Sequence, residues 1–257
     1  MTHAAALLLA TLALAPGSSG ASAGRPGLAL TATPGHLALS GSARATMWVA
    51  NPGARAVVVD VARAGFALDR RGRPRAAQRQ GPRAAVSWIA VRPARFVLRP
   101  GANKALTVRS RLPRRAEPGD HDALVLLTTR PLRGAGVAVR VRIGVVVVVR
   151  APGRVVRRIV VRRPRVRQLG RARVLELVVV NRGNVTERFA RGSIRVVLGD
   201  GRRHATLRAG QRELRPHTNG VVEFGYRGRL AGRATARVVI AGEVGRPSVA
   251  RTFTIRP

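Results

Sequence analysis

Short apolar runs, separated by Gly, Pro and Asn at intervals of roughly 8–15 residues, organise this chain. Leu28–Thr33 is interrupted at Pro34-Gly35 and resumes as His36–Leu39. Ala45–Ala50, Ala56–Val61, Trp88–Val91, Phe96–Leu98, Ala105–Arg109, Ala123–Thr129 and Val137–Val149 follow. Beyond these come Ile159–Val161, Val174–Val180, Ile194–Leu198, Val221–Tyr226, Thr235–Ile240 and Val249–Ile255. The runs are rich in Val and β-branched residues, and none sustains the 3.6-residue period of a major helix. The pattern predicts an all-β chain. A first strand broken by Pro-Gly is expected to pass from one sheet of a sandwich to the other. Asp200-Gly201 predicts a tight hairpin, and Asp69–Arg83, with six arginines and two prolines, reads as a long loop.

The pattern occurs twice. Val49-Ala50-Asn51-Pro52-Gly53 ends one apolar run and Val179-Val180-Asn181-Arg182-Gly183 ends another. Leu98-Arg99-Pro100-Gly101 recurs as Leu214-Arg215-Pro216-His217, and each is followed by an Asn, Asn103 or Asn219, at the head of a new run. The 257 residues suffice for two domains with separate cores. The expected architecture is therefore two tandem immunoglobulin-like β-sandwiches, residues 24–150 and 151–257, joined through Pro152-Gly153. Residues 1–23 read as a signal peptide, with an apolar stretch Ala4–Ala15 and Ala21-Ser22-Ala23 as its cleavage site. The expected location is outside the cytoplasm: extracellular, wall-associated or periplasmic. The most apolar later run, Ile143–Val149, is far shorter than the roughly 20 residues of a membrane-spanning helix.

Charge adds a second theme. The formal net charge is +37, and of 48 Lys and Arg residues only Lys104 is lysine. Replacement of Lys by Arg on this scale, beside many Ala, Gly, Pro and Val, fits a GC-rich coding sequence and solvated faces. The alternative is a surface that holds polyanions, since a guanidinium forks onto phosphate or carboxylate through two hydrogen bonds. The two densest clusters supply the candidate anion-binding residues: Arg70, Arg71, Arg73 and Arg75 in the first, Arg157, Arg158, Arg162 and Arg163 in the second. Only 3% of residues are aromatic, so base-stacking platforms are scarce, and sequence-specific nucleic-acid binding is not expected.

No catalytic constellation is evident. Cysteine is absent, which excludes disulfides, Cys-zinc sites and thiol nucleophiles. Gly20-Ala21-Ser22-Ala23-Gly24 matches a nucleophile-elbow pattern but has no strand before it. Asp120-His121-Asp122 reads as a loop entering a strand, in which the two carboxylates share a face that His121 does not. Asn184-Val185-Thr186 reads as turn chemistry, and Trp48 and Trp88 as core residues. The expectation is a non-enzymatic protein without cofactor or metal.

A set of features in the first half carries a family resemblance: Ser87-Trp88-Ile89, Phe96-Val97-Leu98-Arg99-Pro100-Gly101, Leu112-Pro113, Ala116-Glu117-Pro118-Gly119-Asp120-His121 and Ala123-Leu124-Val125. This resembles the N-terminal, peptidoglycan-binding-type domain of WxL-interacting surface proteins of Gram-positive bacteria. More distantly it is similar to the first domain of periplasmic pilus-assembly chaperones. Both resemblances imply an immunoglobulin-like fold. The WxL-interacting proteins end in a transmembrane anchor with a basic tail, for which this sequence shows no counterpart. The leading expectation is a secreted or envelope scaffold that contacts cell-wall polymer or a partner surface protein. The alternative is an assembly chaperone donating a strand to surface subunits, for which Val145–Val149 is the candidate edge and burial between sheets the competing reading.

Overall fold

The computed structural model describes residues 29–71, 74–77, 81, 83–130, 140–169, 172–226, 233–241 and 249–256. The signal-peptide segment and Arg73 lie outside them. The chain folds as two tandem immunoglobulin-like β-sandwiches, the predicted class.

In the first sandwich the strands are β1 (Thr31–Thr33), β2 (His36–Ser40), β3 (Arg44–Ala50), β4 (Val57–Leu68) and β5 (Pro74–Ala77). They continue as β6 (Ile89–Arg92), β7 (Arg95–Leu98), β8 (Asn103–Ser110), β9 (Gly119–Arg130) and β10 (Arg142–Ala151). One sheet runs β1-β3-β8-β6 and the other β2-β10-β9-β4-β5, with β7 also on β4. The break at Pro34-Gly35 moves the chain between sheets as expected. β1 pairs antiparallel with β3 in the first sheet, and β2 pairs parallel with β10 in the second.

The second sandwich follows as β11 (Ile159–Val161), β12 (Arg165–Leu169), β13 (Ala172–Asn181), β14 (Glu187–Phe189) and β15 (Ile194–Gly199). It closes with β16 (His204–Arg208), β17 (Arg212–Leu214), β18 (Asn219–Tyr226), β19 (Ala234–Ile240) and β20 (Val249–Ile255). β11, β12 and β18 pair with β13, β14 pairs with β17, and the facing sheet runs β16-β15-β19-β20. The Asp200-Gly201 hairpin joins β15 to β16, with Gly201 at φ +88°.

Each sandwich has its own apolar core. Met47, Val49, Val59, Leu106, Leu127 and Val147 are wholly buried in the first, and Leu175, Leu177, Ile194, Val196 and Val238 in the second. Burying such a side chain stabilises by about 1.5–3 kcal/mol, so on each strand the residues two apart share a face, and the face whose apolar side chains pack together is the one turned inward.

The Asn-Gly repeat has a physical cause. Asn51 is fully buried, and its Nδ2 donates to the carbonyls of Arg55 (2.8 Å) and Leu98 (3.2 Å) while Oδ1 accepts from Gly53 N (3.0 Å). Asn181 repeats the set with Val185 (2.8 Å), Leu214 (3.0 Å) and Gly183 (2.8 Å). In each copy the buried amide pins the end of one strand to the Leu-Arg-Pro corner.

Three expectations need correction. The segment read as a loop, Asp69–Arg83, contains β5, which pairs with Gly65–Leu68, and the strand before it, β4, runs on to Leu68 instead of ending at Val61. Trp48 lies on the outer face of β3 and is 52% exposed, because Met47 and Val49 take the inward positions. Val145, Val147, Val148 and Val149 are buried, and β2 covers the edge of β10 from Val146 to Arg150, so Val145–Val149 is not an exposed edge.

Candidate functional site

Two features of the molecule stand out: the elbow between the sandwiches and the end of β10 that, among the described residues, has a strand on one side alone.

Gly119-Asp120-His121-Asp122 opens β9, and Gly119, Asp120 and Asp122 face the second sandwich at the elbow. Gly119 adopts φ +110°, and a Cβ there would lie 2.1 Å from the Asn184 carbonyl, so only glycine permits the approach. Asp120 N then donates to that carbonyl at 2.8 Å. The Asp120 carboxylate takes a forked pair from Arg150, Nε at 2.6 Å and Nη2 at 3.0 Å, and also accepts from Thr186 N at 2.7 Å. Burial pushes its pKa up, but the bonds from Arg150 and Thr186 outweigh this and hold it below its ordinary value. Asp122, on the same face, meets the guanidinium of Arg215 from the second sandwich. Burial brings Arg215 down to about 10, which leaves it charged at neutral pH beside its carboxylate.

His121 points the other way, as two-residue alternation requires. Its Nε2 lies 2.8 Å from the Glu117 carbonyl and so carries the proton, and its ring sits 4.2 Å from that of Trp88. Burial lowers its pKa. Asn184 completes the joint. Its Nδ2 donates to the carbonyls of Pro118 (3.1 Å) and Arg154 (2.8 Å), and its Oδ1 accepts from Val156 N (2.7 Å). Asn184 is thus a structural tie across the elbow. Among the described residues no three His, Asp or Glu side chains group as a metal site, and each elbow carboxylate is occupied by arginine.

The candidate arginines separate. Arg70 offers its carbonyl to Val221 N at 2.6 Å, which docks the end of β4 on the second sandwich. Arg71 pairs with Glu223 at 2.9 Å. Arg75 lies in β5 opposite Ala67. Arg157 binds Glu187 at 2.8 Å, and Arg158 is exposed, with its carbonyl accepting from Arg182 N. Arg162 and Arg163 come together with Arg70 around one pocket, joined by Arg165, which the sequence reading had not singled out. Asp122 and Arg215 were also not paired in advance. They lie 93 positions apart, and the one clue was that a buried acid in an arginine-rich chain must find an arginine.

The second feature is the edge of β10. This strand pairs with β9 along its whole length, Arg142–Ala151, but with β2 only from Val146 to Arg150. Val146 donates its N–H to Gly35 O at 3.1 Å on the β2 side. By the two-residue period, the N–H and C=O groups of Arg142 and Gly144 face the same way. Among the described residues no strand pairs with them there.

No family model and no curated protein sequence matches the chain. The WxL-type resemblance therefore stands on its quoted residues alone. Solved structures do match in fold. A chain of the chaperone–tip adhesin complex of CFA/I fimbriae biogenesis aligns with TM-score 0.52 and 9% identity, over 87% of this chain and 98% of that one. A chain of the Salmonella enterica SafA pilin–SafB chaperone complex aligns with TM-score 0.48 and 13% identity, over 88% and 96%. The YadV chaperone aligns with TM-score 0.48 and 9% identity, over 88% and 98%. What is shared is the fold. It comprises both sandwiches in tandem, since the alignment to the fimbrial complex chain spans nearly the whole of that chain. Among the described residues no helix is long and apolar enough to cross a membrane.

Proposed function

We propose that this protein is an exported assembly chaperone, non-enzymatic, that holds a partner surface subunit by adding the partner's strand to the open edge of β10. The observation that carries the reading is the Arg142–Gly144 stretch, which pairs with β9 on one side and, among the described residues, with no strand on the other. Its inner face is apolar, with Val145 wholly buried and Ile143 packed on the core. An exposed edge of this kind recruits an extended segment through main-chain hydrogen bonds, with alternate side chains setting selectivity. The elbow fixes the second sandwich at the opposite, Arg150 end of the same strand, and so sets the orientation of the two sandwiches while leaving the Arg142 end clear of it. The fold likeness to pilus-assembly chaperones supports it as well, and it favours this alternative over a wall-polymer scaffold. We place the division between the two sandwiches at the end of β10, between Arg150 and Ala151.

Co-expression with candidate surface-subunit genes from the same source, followed by purification of any complex, tests the proposal. Arg142→Pro removes one outward N–H without touching the core. Loss of the complex, with the thermal midpoint unchanged, is the expected result. A complex that survives Arg142→Pro intact would contradict strand addition at this edge.

A further inference from the structure

Most acidic groups at the surface are matched to arginine: Asp60 with Arg95 and Arg130, Glu223 with Arg71, Glu176 with Arg167, Glu213 with Arg188. With 48 basic residues against 11 acids, most arginines are left over. Where they are left over is informative. A pocket of about 650 Å³ at the junction of the sandwiches is lined by Arg70, Arg162, Arg163 and Arg165, with Glu176 and Val178 among its other residues. Among the described residues its one carboxylate, Glu176, is already taken by Arg167 at 2.7 Å.

The pocket is also held in shape. Arg70 is pinned through its carbonyl to Val221, and the neighbouring Arg71 through its side chain to Glu223 and its carbonyl to Arg212. Arg163 is oriented by two bonds from its guanidinium to the Thr254 carbonyl, 3.2 and 2.6 Å. The side chains of Arg70, Arg162 and Arg165 are exposed and make no ion pair with a described residue. Like charges gathered without a counter-charge repel, and they are tolerated at low cost only when solvated or when an anion sits among them.

We propose that this pocket binds successive phosphate groups of a polyanionic chain that is not a nucleic acid. Arginine at the rim supplies forked donors for phosphate oxygens. The volume exceeds what one free phosphate fills, which favours a chain with spaced charges. Among the described residues the lining contains no aromatic side chain on which a base could stack, which disfavours single-stranded nucleic acid. The site is separate from the β10 edge, so it stands or falls independently of subunit capture.

The test uses inorganic polyphosphate as the probe, with free phosphate and a single-stranded oligonucleotide as comparison arms, titrated against the full chain across a salt series. Two triple variants are compared, each first shown to unfold at the wild-type midpoint. One is Arg70→Gln, Arg162→Gln, Arg165→Gln. The other is Arg44→Gln, Arg92→Gln, Arg109→Gln, three exposed arginines on the outer face of the first sandwich. The pocket variant is expected to lose at least about tenfold in polyphosphate affinity, the worth of one charge-assisted contact, and to show a flatter salt dependence. The control is expected to change less than about twofold, because surface charge acts weakly beyond roughly 8 Å at physiological salt. Equal losses in the two variants, free phosphate binding as tightly as the polymer, or an equally tight, pocket-dependent oligonucleotide would each overturn the proposal.

Discussion

In the first sandwich the corner Leu98-Arg99-Pro100-Gly101 carries an exposed arginine. In the second, Leu214-Arg215-Pro216-His217 turns its arginine into the elbow, where it is 8% exposed against Asp122. The local geometry is nearly the same. Ala102 N reaches Arg99 O at 3.1 Å, and Thr218 N reaches Arg215 O at 3.3 Å. The third position after Leu is left-handed in both, Gly101 at φ +72° and His217 at φ +56°. Both corners are tied by a buried asparagine. What separates them is the neighbour. The first corner faces solvent and the second faces β9. A turn built to end a strand has become half of a domain joint through a single buried ion pair.

The largest contrast is expected from removing the two arginines. Arg215→Ala strands Asp122 as an unpaired buried carboxylate and should cost about 3–5 kcal/mol. Arg99→Ala should stay within about 0.5 kcal/mol, as for other surface positions. Urea denaturation of both variants measures this, and equal costs would mean the second corner is not a joint. Next come Asn51→Ala and Asn181→Ala. Each removes two side-chain donors to main-chain carbonyls, at about 1–3 kcal/mol for each carbonyl left buried and unsatisfied; both variants should be clearly destabilised, Asn51→Ala somewhat less because its bond to the Arg55 carbonyl is only part-buried. A large asymmetry would show that the repeat is one of sequence only.

A smaller effect belongs to the left-handed position. His217→Gly should stabilise by up to about 1 kcal/mol and Gly101→Ala should destabilise by a similar amount, since a Cβ is disfavoured there. Scanning calorimetry resolves both. The smallest effect is one of pH. Burial, aided at His36 by Arg188, holds His36 and His121 below their ordinary value of 6.5. Below that value the unfolded chain binds protons that the folded chain refuses. Stability is therefore full above pH 6.5 and declines as the pH falls beneath it. A His36→Asn, His121→Asn variant should show a flatter profile between pH 7 and 5.

The fold was legible because its signals are local. Period-two apolar runs, Pro34-Gly35, Asp200-Gly201 and the paired Asn-Gly ends each act within a few residues. Trp48 misled because alternation shows which residues share a face but not which face is inward, and aromatic size favoured the wrong one. The valines of β10 likewise read as a strand without revealing which stretch lacks a neighbour, since that depends on where β2 ends. The elbow was hidden for a further reason. Asp122 and Arg215 are partners only through the docking of two sandwiches, and nothing within either segment marks it.

Backbone amide exchange on the full chain, free and bound to a co-purified surface subunit, tests the central claim most directly. Strand addition predicts that the Arg142 and Gly144 amides exchange freely in the unbound protein and become protected in the complex. Those of Val146 and Val148, already covered by β2, should change little. A complex in which Arg142 and Gly144 remain unprotected would contradict the account.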